Sequence, residues 1–457
     1  MSFIAVFDAG KTRLKLSILA GDGTIVFADS APSRIATSPR GVLDIDRAEA
    51  FVCDALRRAT VRFAVDHFVA VGHGAASVWL EGGRLAAPVT DYEAEIPAAV
   101  SARYERERPP FAETFSPSLP LGLNLGRQIA WTEAMRAGLI KQSVTLLPWP
   151  QYWAWRLCGR AASEVSSLGS HTDLWAPKAA DWSSLARARG WSERFAPLMR
   201  ADAVLESAQG SLAREAGLRA GCQIVCGAHD SNAALYAVQS AGVLAGDACL
   251  VSTGTWTITM APNTPLDGLS PERDCLANVS VSGRPVPTCR FMGGVEYARL
   301  AANASRTPNA TTLTALVASG TMALPSFAEA GGPFASLRGK ITGAAPQDDA
   351  GRAALAALYY ALMLDYELTL VGGTRAVVVE GAAAQDATIT GLLAALADAP
   401  VYVCGGEAVA IGAARLAQPF DTAAALQLSP VEPLRIPGFE DYKIRWRAGI
   451  AARAGAI

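Results

Sequence analysis

The sequence has no excess of basic residues and little charge of either sign. Its 40 Lys and Arg residues stand against 42 Asp and Glu residues, which gives a formal net charge of −2, and only 18% of the residues are charged. The broad positive surface that holds nucleic acid is therefore not expected. Because 51% of the residues are hydrophobic, extensive disorder is excluded and a well-filled globular interior is favoured.

Signals for disulfide formation and membrane targeting are also missing. The eight cysteines form no CxxC pair, and several lie in apolar runs, which indicates reduced thiols and a cytoplasmic location. No basic segment precedes the first apolar run, and Asp8 interrupts that run, so no signal peptide is predicted. The longest apolar helical stretch, about 353–364, is shorter than the ~20 residues that a bilayer span requires. We therefore expect a soluble protein without a membrane partner.

The length of 457 residues favours two domains over one core. The glycine-containing stretch 242–247 marks the predicted boundary, which divides the chain into 1–241 and 242–457. A strand, a polar glycine-containing turn and an alternating return strand open the first half and recur at 249–260. This repetition predicts a duplicated α/β architecture.

The turn of the first predicted hairpin carries groups that suit a phosphate ligand. Gly10 lets the backbone approach an anion closely, Thr12 offers a hydroxyl, and Lys11 and Lys15 supply positive charge. An ordinary polar hairpin turn is the alternative interpretation. A Walker A loop is excluded because the full run that ends in Gly-Lys-Ser/Thr before a helix is missing, and Gly10-Lys11-Thr12 lies between two predicted strands instead.

A single acid, Asp230, stands between a predicted buried strand at 223–226 and an apolar helix start at 233–238. A carboxylate held at such a junction can take a proton from a substrate hydroxyl. The alternative is an N-cap that only accepts hydrogen bonds from the first free N–H groups of the helix.

Several other polar residues follow predicted strands and are placed to line a small-molecule site. His73 follows the strand 68–72, with Asp91 and Glu93 further along, although a solvated loop is an equal alternative for them. Small residues at 381–386 and in the alanine-rich helix from Glu407 leave room for a flat ligand, or for tight helix packing. The tryptophan-rich segment 149–155 is predicted to belong to the core.

Two further segments carry weaker patterns. Residues 94–127 are rich in proline and are predicted to be irregular, and residues 182–195 are predicted to be helical.

Taken in chain order, these motifs resemble the FGGY carbohydrate kinases, within the larger group that shares the actin-like, ribonuclease-H-like ATPase fold. The resemblance spans nearly the whole chain. Residues 8–12 are similar to the first phosphate loop, 227–230 to the catalytic segment and 252–255 to the second phosphate loop. Residues 381–386 and 407–414 are similar to the adenosine region. Residues 147–159, 229–233 and 252–256 most resemble the rhamnulokinase and fuculokinase branch.

The resemblance implies two ribonuclease-H-like domains flanking a central cleft, with a sugar-binding and catalytic-base domain at 1–241 and a nucleotide-binding domain at 242–457. It implies ATP-dependent phosphorylation of a small sugar, such as a deoxyketohexose or a pentulose. Asp230 would be the catalytic base and Asp8 would hold Mg²⁺. The residues implied to bind ATP are Gly10, Lys11, Thr12, Lys15, Ser252, Thr253, Gly254, Thr255, Gly381, Ala382 and Glu407. Those implied to bind the sugar are His73, Asp91, Glu93 and His229.

Two departures from the family pattern affect these expectations. Residues 74–77 are small where rhamnulokinase-like chains carry a tryptophan and an acid, which predicts a rebuilt sugar pocket, and Gly381-Ala382 replaces a glycine pair. An actin-like nucleotide switch, a polyol kinase and a catalytically silent relative are the alternative functions. A homodimer is compatible with the resemblance.

Overall fold

A computed structural model of the chain describes residues 2–139, 143–242, 247–302, 308–373 and 376–454. The chain forms two compact units. The first comprises Met1–Val243, Ala277–Val286 and Gly406–Leu426, and the second comprises Leu244–Leu276, Pro287–Gly405 and Gln427–Ile457. Each unit is thus assembled from three chain segments, whereas the predicted domains 1–241 and 242–457 are continuous. Of the predicted boundary stretch 242–247, residues 243–246 lie outside the described residues.

The strands in residues 2–242 are β1 (Phe3–Ala9), β2 (Arg13–Ala20), β3 (Ile25–Pro32), β4 (Val65–Gly72), β5 (Ser77–Glu81), β6 (Arg84–Leu85), β7 (Val144–Pro148), β8 (Trp175–Ala176), β9 (Asp181–Trp182), β10 (Val204–Ser207) and β11 (Gln223–His229). The helices of the same part are α1 (Ile45–Thr60), α2 (Ala98–Glu107), α3 (Phe111–Thr114), α4 (Leu125–Met135), α5 (Trp149–Cys158), α6 (Val165–Leu168), α7 (Ser184–Ala188), α8 (Ser211–Glu215) and α9 (Asp230–Ser240).

The strands of the remaining chain are β12 (Ala248–Thr253), β13 (Thr257–Met260), β14 (Cys275–Val279), β15 (Pro285–Phe291), β16 (Met322–Leu324), β17 (Lys340–Thr342), β18 (Ala376–Gly381), β19 (Val401–Cys404) and β20 (Leu428–Pro430). Its helices are α10 (Gly293–Ala301), α11 (Ala310–Ser319), α12 (Asp349–Leu370), α13 (Ala387–Leu396), α14 (Ala408–Ala417), α15 (Thr422–Leu426) and α16 (Phe439–Ala454). Helices α14 and α15 and the turn between β14 and β15 belong to the first unit.

The main sheets of the two units share one strand arrangement. The first sheet has the order β10-β11-β4-β1-β2-β3, and the second has the order β14-β15-β13-β12-β18-β19-β20. In the first, β1 is antiparallel to β2 and parallel to β4, which is parallel to β11. In the second, β12 is antiparallel to β13 and parallel to β18, which is parallel to β19. The predicted α/β class and the predicted repeat of the opening unit are confirmed.

The way each element is buried in its hydrophobic core explains its pattern of apolar residues. Strands β1 and β4 are buried on both faces and therefore read as continuous apolar runs. Trp149 and Trp153 on α5 are buried against this sheet, as the sequence predicted. In the second unit, α12 is apolar on all sides because the core surrounds it.

Helix α12 is also longer than the predicted apolar stretch. Among the described residues it is the one helix long and apolar enough to cross a membrane, with 22 residues, but 83% of its most apolar window is buried inside the protein. It is a core helix.

Two predictions about local structure were wrong. Residues 94–127 contain α2, α3 and the start of α4, because the Ala-, Arg- and Glu-rich run after Pro97 has high helix propensity and its prolines lie outside the helices. Residues 182–195 begin with the last residue of β9 and contain the short helix α7 as their one helix. Gly190, at a φ of +67°, lies just beyond the end of that helix.

Candidate active site

Three parallel strands of the first unit end side by side. In the sheet register Asp8 of β1 is opposite Val71 of β4, and His229 of β11 is opposite Gly72 of β4. The carboxyl ends of parallel strands meet at one edge of a sheet, which is where α/β proteins bind ligands. Asp8, the residues after β4 and Asp230 are therefore brought to one edge.

A bulge in β11 sets the direction of the last residues before Asp230. The register of β11 against β4 shifts between Val225 and Ala228. Gly227 lies in this bulge at a φ of +77°, and a Cβ there would be 1.9 Å from the carbonyl oxygen of Ala70. Only glycine fits this conformation and this contact.

Asp230 is the first residue of α9, and the N-cap position belongs to His229. Its Oδ1 accepts hydrogen bonds from Ser231 N at 2.6 Å and Ser231 Oγ at 3.2 Å. His229 Nε2 lies 3.5 Å from the same oxygen, and the Asp230 side chain is 25% exposed. The carboxylate is thus held by hydrogen bonds and is also partly exposed to solvent. An N-cap that only accepts hydrogen bonds would not require this exposure.

Asp8 lies in an electrostatic environment that disfavours its own charge. Burial, followed by the charges of Asp230 and Glu407, raises the pKa of Asp8 to about 8, against the lowering effect of Lys15. Its Oδ1 is buried and accepts no hydrogen bond from the described residues. A buried carboxylate oxygen without a donor is a suitable ligand for a cation.

These features fit Mg²⁺ held chiefly by water and phosphate. Within the described part of the chain, no three His, Cys, Asp or Glu side chains are grouped to hold a metal ion alone. Mg²⁺ commonly uses one or two carboxylates and keeps several waters and substrate phosphates as its other ligands. A single carboxylate such as Asp8 is consistent with that mode.

We expect the metal-free protein to lose stability as the pH rises from about 4 toward 8. The folded-state pKa of Asp8 is raised to about 8, so its contribution is complete below the unfolded pKa and is lost as the pH rises through the folded value. The slope for one proton is about 1.4 kcal/mol per pH unit. Urea denaturation in EDTA at several pH values measures the free energy of unfolding of the wild type and of Asp8→Asn, and the two pH dependences are then compared. Parallel pH dependences would contradict the shifted pKa.

Lys11 lies with the residues predicted to bind sugar. It forms ion pairs with Asp91 and, at 3.2 Å, with Glu93, and its Nζ lies 4.8 Å from the centre of the Tyr92 ring. Arg34 pairs with Asp91 at 2.7 Å. The sequence reasoning missed Arg34 and Tyr92, since no motif contains them.

The Asp91 carboxylate is the anchor of this cluster and has no exposed surface. Burial acts to raise its pKa, but a hydrogen bond from Glu93 N at 2.9 Å, together with Lys11 and Arg34, lowers the pKa overall. The carboxylate is therefore ionised and fully engaged by protein groups.

His73 and His229 are both buried. Burial lowers the pKa of His73 to about 4 and also lowers the pKa of His229, so both rings are neutral at physiological pH. His73 lies edge-on to Tyr92 at 5.2 Å, and its Nδ1 has no hydrogen-bond partner among the described residues. His229 Nδ1 lies 3.2 Å from Asn232 Nδ2. His73 Nδ1 is thus a polar atom without a partner among the described residues, and it lies beside the cluster of Lys11, Asp91, Tyr92 and Glu93.

The hairpin tip of the first unit is tightly turned. A Cβ on Gly10 would lie 2.6 Å from the carbonyl oxygen of Arg13, and Thr12 is exposed. Lys15 pairs with Glu407 at 2.7 Å. Glu407, predicted to belong to a C-terminal nucleotide-binding domain, lies in the first unit with Lys15.

The second unit joins its polar loop to the turn after β18. Thr253 Oγ1 accepts a hydrogen bond from Ala383 N at 2.8 Å, and the Thr253 carbonyl oxygen accepts one from Ala382 N at 3.0 Å. Gly381 has a φ of +80°, and a Cβ there would be 2.0 Å from that same oxygen. The predicted loop 252–255 and Gly381-Ala382 are therefore adjacent.

A cavity of about 500 Å³ lies beside this loop and is lined by Gly254, Thr255, Gly294, Val295, Ala298 and Arg299. Helix α10 begins here, and no side chain of the described residues caps it, so its first N–H groups can bind an anion. A Cβ on Gly294 would be 2.3 Å from the carbonyl oxygen of Gly254. The sequence reasoning missed this helix start, although the glycine pair 293–294 is a visible signal.

Comparisons with known proteins agree with these features. The family described as "Carbohydrate kinase FGGY, C-terminal domain" matches residues 245–425. A carbohydrate kinase from Novosphingobium aromaticivorans is 38% identical to this chain, with 99% of each chain covered and a TM-score of 0.90. A search of curated proteins found no match.

More distant solved structures are similar to this chain in fold only. A xylulose kinase from Rhodospirillum rubrum is 17% identical, with 98% of each chain covered and a TM-score of 0.80. A Plasmodium falciparum glycerol kinase with ADP is 10% identical, with 100% of this chain and 98% of that chain covered and a TM-score of 0.79. The predicted pair of ribonuclease-H-like, actin-like domains is confirmed. The chain belongs to the FGGY carbohydrate kinase family.

Proposed function

We propose that this carbohydrate kinase transfers the γ-phosphoryl group of ATP to a hydroxyl of a small ketose, such as a deoxyketohexose or a pentulose. The observation that carries the proposal is the placement of Asp230, a partly exposed carboxylate at the strand-to-helix junction beside Asp8. A base in that position can accept the proton of an attacking hydroxyl.

Phosphate-binding groups are proposed in each unit by itself. Lys15, Thr12 and the backbone N–H groups around Gly10 would bind phosphate oxygens in the first unit, and the loop 252–255 would do so in the second. Gly381 and Ala382 would leave room for the adenosine. Mg²⁺ held by Asp8 would neutralise the charge that develops on the transferred group.

The sugar side is assigned to the cluster around His73. The Nδ1 of His73, which is buried and has no hydrogen-bond partner among the described residues, and the carboxylate of Glu93, whose side chain is 63% exposed, would bind sugar hydroxyls, with His229 beside the base. Asp91 is saturated by Lys11, Arg34 and a backbone N–H. We therefore propose that Asp91 holds the Lys11 side chain in place and that the Lys11 ammonium group faces the sugar.

A panel assay tests the proposal. ADP release from Mg-ATP is measured with ketoses, aldoses and polyols, and mass spectrometry identifies any phosphorylated sugar. We expect release that depends on at least one ketose and a product heavier by one phosphoryl group. A response to polyols alone would indicate a polyol kinase, and ATP turnover without any sugar response would indicate a nucleotide switch.

Three further points stay predictions: membership of the rhamnulokinase and fuculokinase branch, a cytoplasmic location and a homodimer.

A further inference from the structure

We propose that Glu164 and Ser166 are positioning residues that fix the end of β11 from which Asp230 projects. The inference rests on the proposed role of Asp230 as the base. It concerns the segment 163–172, which contacts the catalytic segment but contributes no group to the chemistry proposed above.

Glu164 is fully buried and is the N-cap of α6. Its carboxylate accepts hydrogen bonds from Ser166 N at 2.9 Å, Ser166 Oγ at 2.6 Å and Ser167 N at 3.1 Å. A buried carboxylate is costly even when it is hydrogen-bonded. A four-residue helix could be capped by a Ser or Asn, so capping alone does not explain an acid here.

Ser166 connects Glu164 to the catalytic segment. The Ser166 hydroxyl donates its proton to Glu164, so its lone pairs are free to accept the hydrogen bond from His229 N at 3.1 Å. His229 is the residue immediately before Asp230. The carboxylate thus sets the direction of the hydroxyl, and the hydroxyl holds the main chain at the start of α9.

A second connection from the same segment fixes the His229 side chain. Ser170 Oγ donates to the carbonyl oxygen of Ser166 at 2.7 Å and accepts from Asn232 Nδ2 at 3.4 Å. Asn232 Nδ2 also lies 3.2 Å from His229 Nδ1. The space around the ring is filled, because a Cβ on Gly74 would lie 2.8 Å from both His229 Cδ2 and Ser170 Cβ. Main chain and ring are both restrained.

The acid is also sensitive to pH. Burial raises the pKa of Glu164 to about 7, against the lowering effect of its Ser166 and Ser167 hydrogen bonds. Cys226 of β11 also lies within its electrostatic reach, and burial, then the Glu164 charge, raises the pKa of that thiol. Protonation of Glu164 would remove the charged acceptor that sets the direction of the Ser166 hydroxyl.

The test compares Ser166→Ala with Ser167→Ala. Both serine hydroxyls donate to Glu164, at 2.6 and 3.3 Å, but only Ser166 Oγ accepts from His229 N. We expect Ser166→Ala to lower kcat by about 10- to 100-fold, the effect of a small misplacement of a reacting group, with the KM values for sugar and ATP changed by less than about 3-fold. Ser167→Ala should retain wild-type kcat.

Glu164→Gln supplies a second readout. It should also lower kcat. We expect the wild-type kcat to fall as the pH decreases through about 7, because Glu164 then becomes protonated, and Glu164→Gln should lack this fall. Equal kcat values for Ser166→Ala and Ser167→Ala, or a pH profile unchanged by Glu164→Gln, would overturn the proposal. If these variants lose activity but Asp230→Asn stays active, the role of Asp230 is wrong, which separates the two failures. Thermal melts of each variant identify any loss of folding. If Ser166→Ala does not fold, the pH profile of Glu164→Gln decides.

Discussion

Asp230→Asn should lower the kcat of sugar phosphorylation by about 10²- to 10⁴-fold, the contribution of a positioned general base. The amide has the shape of the carboxylate but cannot accept a proton at physiological pH. Its oxygen can still accept the hydrogen bond that Asp230 Oδ1 accepts from Ser231 N, so the start of α9 should stay intact. Sugar-dependent ADP release is the measurement.

A matched control distinguishes chemistry from a general change of charge. Asp54→Asn alters a 60% exposed acid on α1 that pairs with Arg58, and it should leave kcat unchanged. ATP affinity, measured by fluorescence titration, should change little in Asp230→Asn. Retention of kcat within about tenfold of wild type, below the range for a general base, would exclude Asp230 as the base.

Gly227→Ala should destabilise the protein by about 2–6 kcal/mol. The φ of +77° and the 1.9 Å approach of a Cβ to the Ala70 carbonyl oxygen act together, and left-handed strain and overpacking each cost about 1–3 kcal/mol. Urea unfolding followed by tryptophan fluorescence measures the loss of stability. Any folded variant should also have reduced kcat, because the bulge directs the residues before Asp230.

Gly221→Ala is the control for this substitution. Gly221 lies just before β11, and a Cβ there would meet no atom of the described residues within 4 Å. Its unfolding free energy should stay within about 0.5 kcal/mol of wild type, as for most surface substitutions. Equal unfolding midpoints for the two variants would show that the bulge relaxes to accept a side chain.

Features encoded by neighbouring residues could be predicted from the sequence. The hairpin β1–β2, its counterpart β12–β13 and the junction at Asp230 all combine an apolar run with turn residues directly beside it. Helix α2 was missed because the prolines around it outweighed the propensity of its own residues. Local patterns therefore located the strand ends on which the candidate site is built.

Side-chain partners distant in sequence could not be predicted. Lys11 and Asp91 are separated by 80 positions, and Ser166 and His229 by 63, so no periodicity relates them. The turn sequence and the family resemblance both place Lys11 with phosphate, whereas its neighbours in the structure are Asp91, Glu93 and Tyr92. The choice among such partners depends on how the sheet and its loops pack.

The late return of the chain to the first unit has a consequence for biosynthesis. Helix α14 packs on α9 so closely that a Cβ on Gly412 would lie 1.8 Å from the carbonyl oxygen of Ala233. A ribosome completes Met1–Val243 about 160 residues before it reaches Gly406, a delay on the order of 10 to 30 seconds at typical elongation rates. During that time the helix that carries Asp230 lacks its packing partner. The segment around Asp230 is therefore among the last parts of the protein to mature, and a prematurely terminated chain would carry Asp230 and α9 without the support of α14.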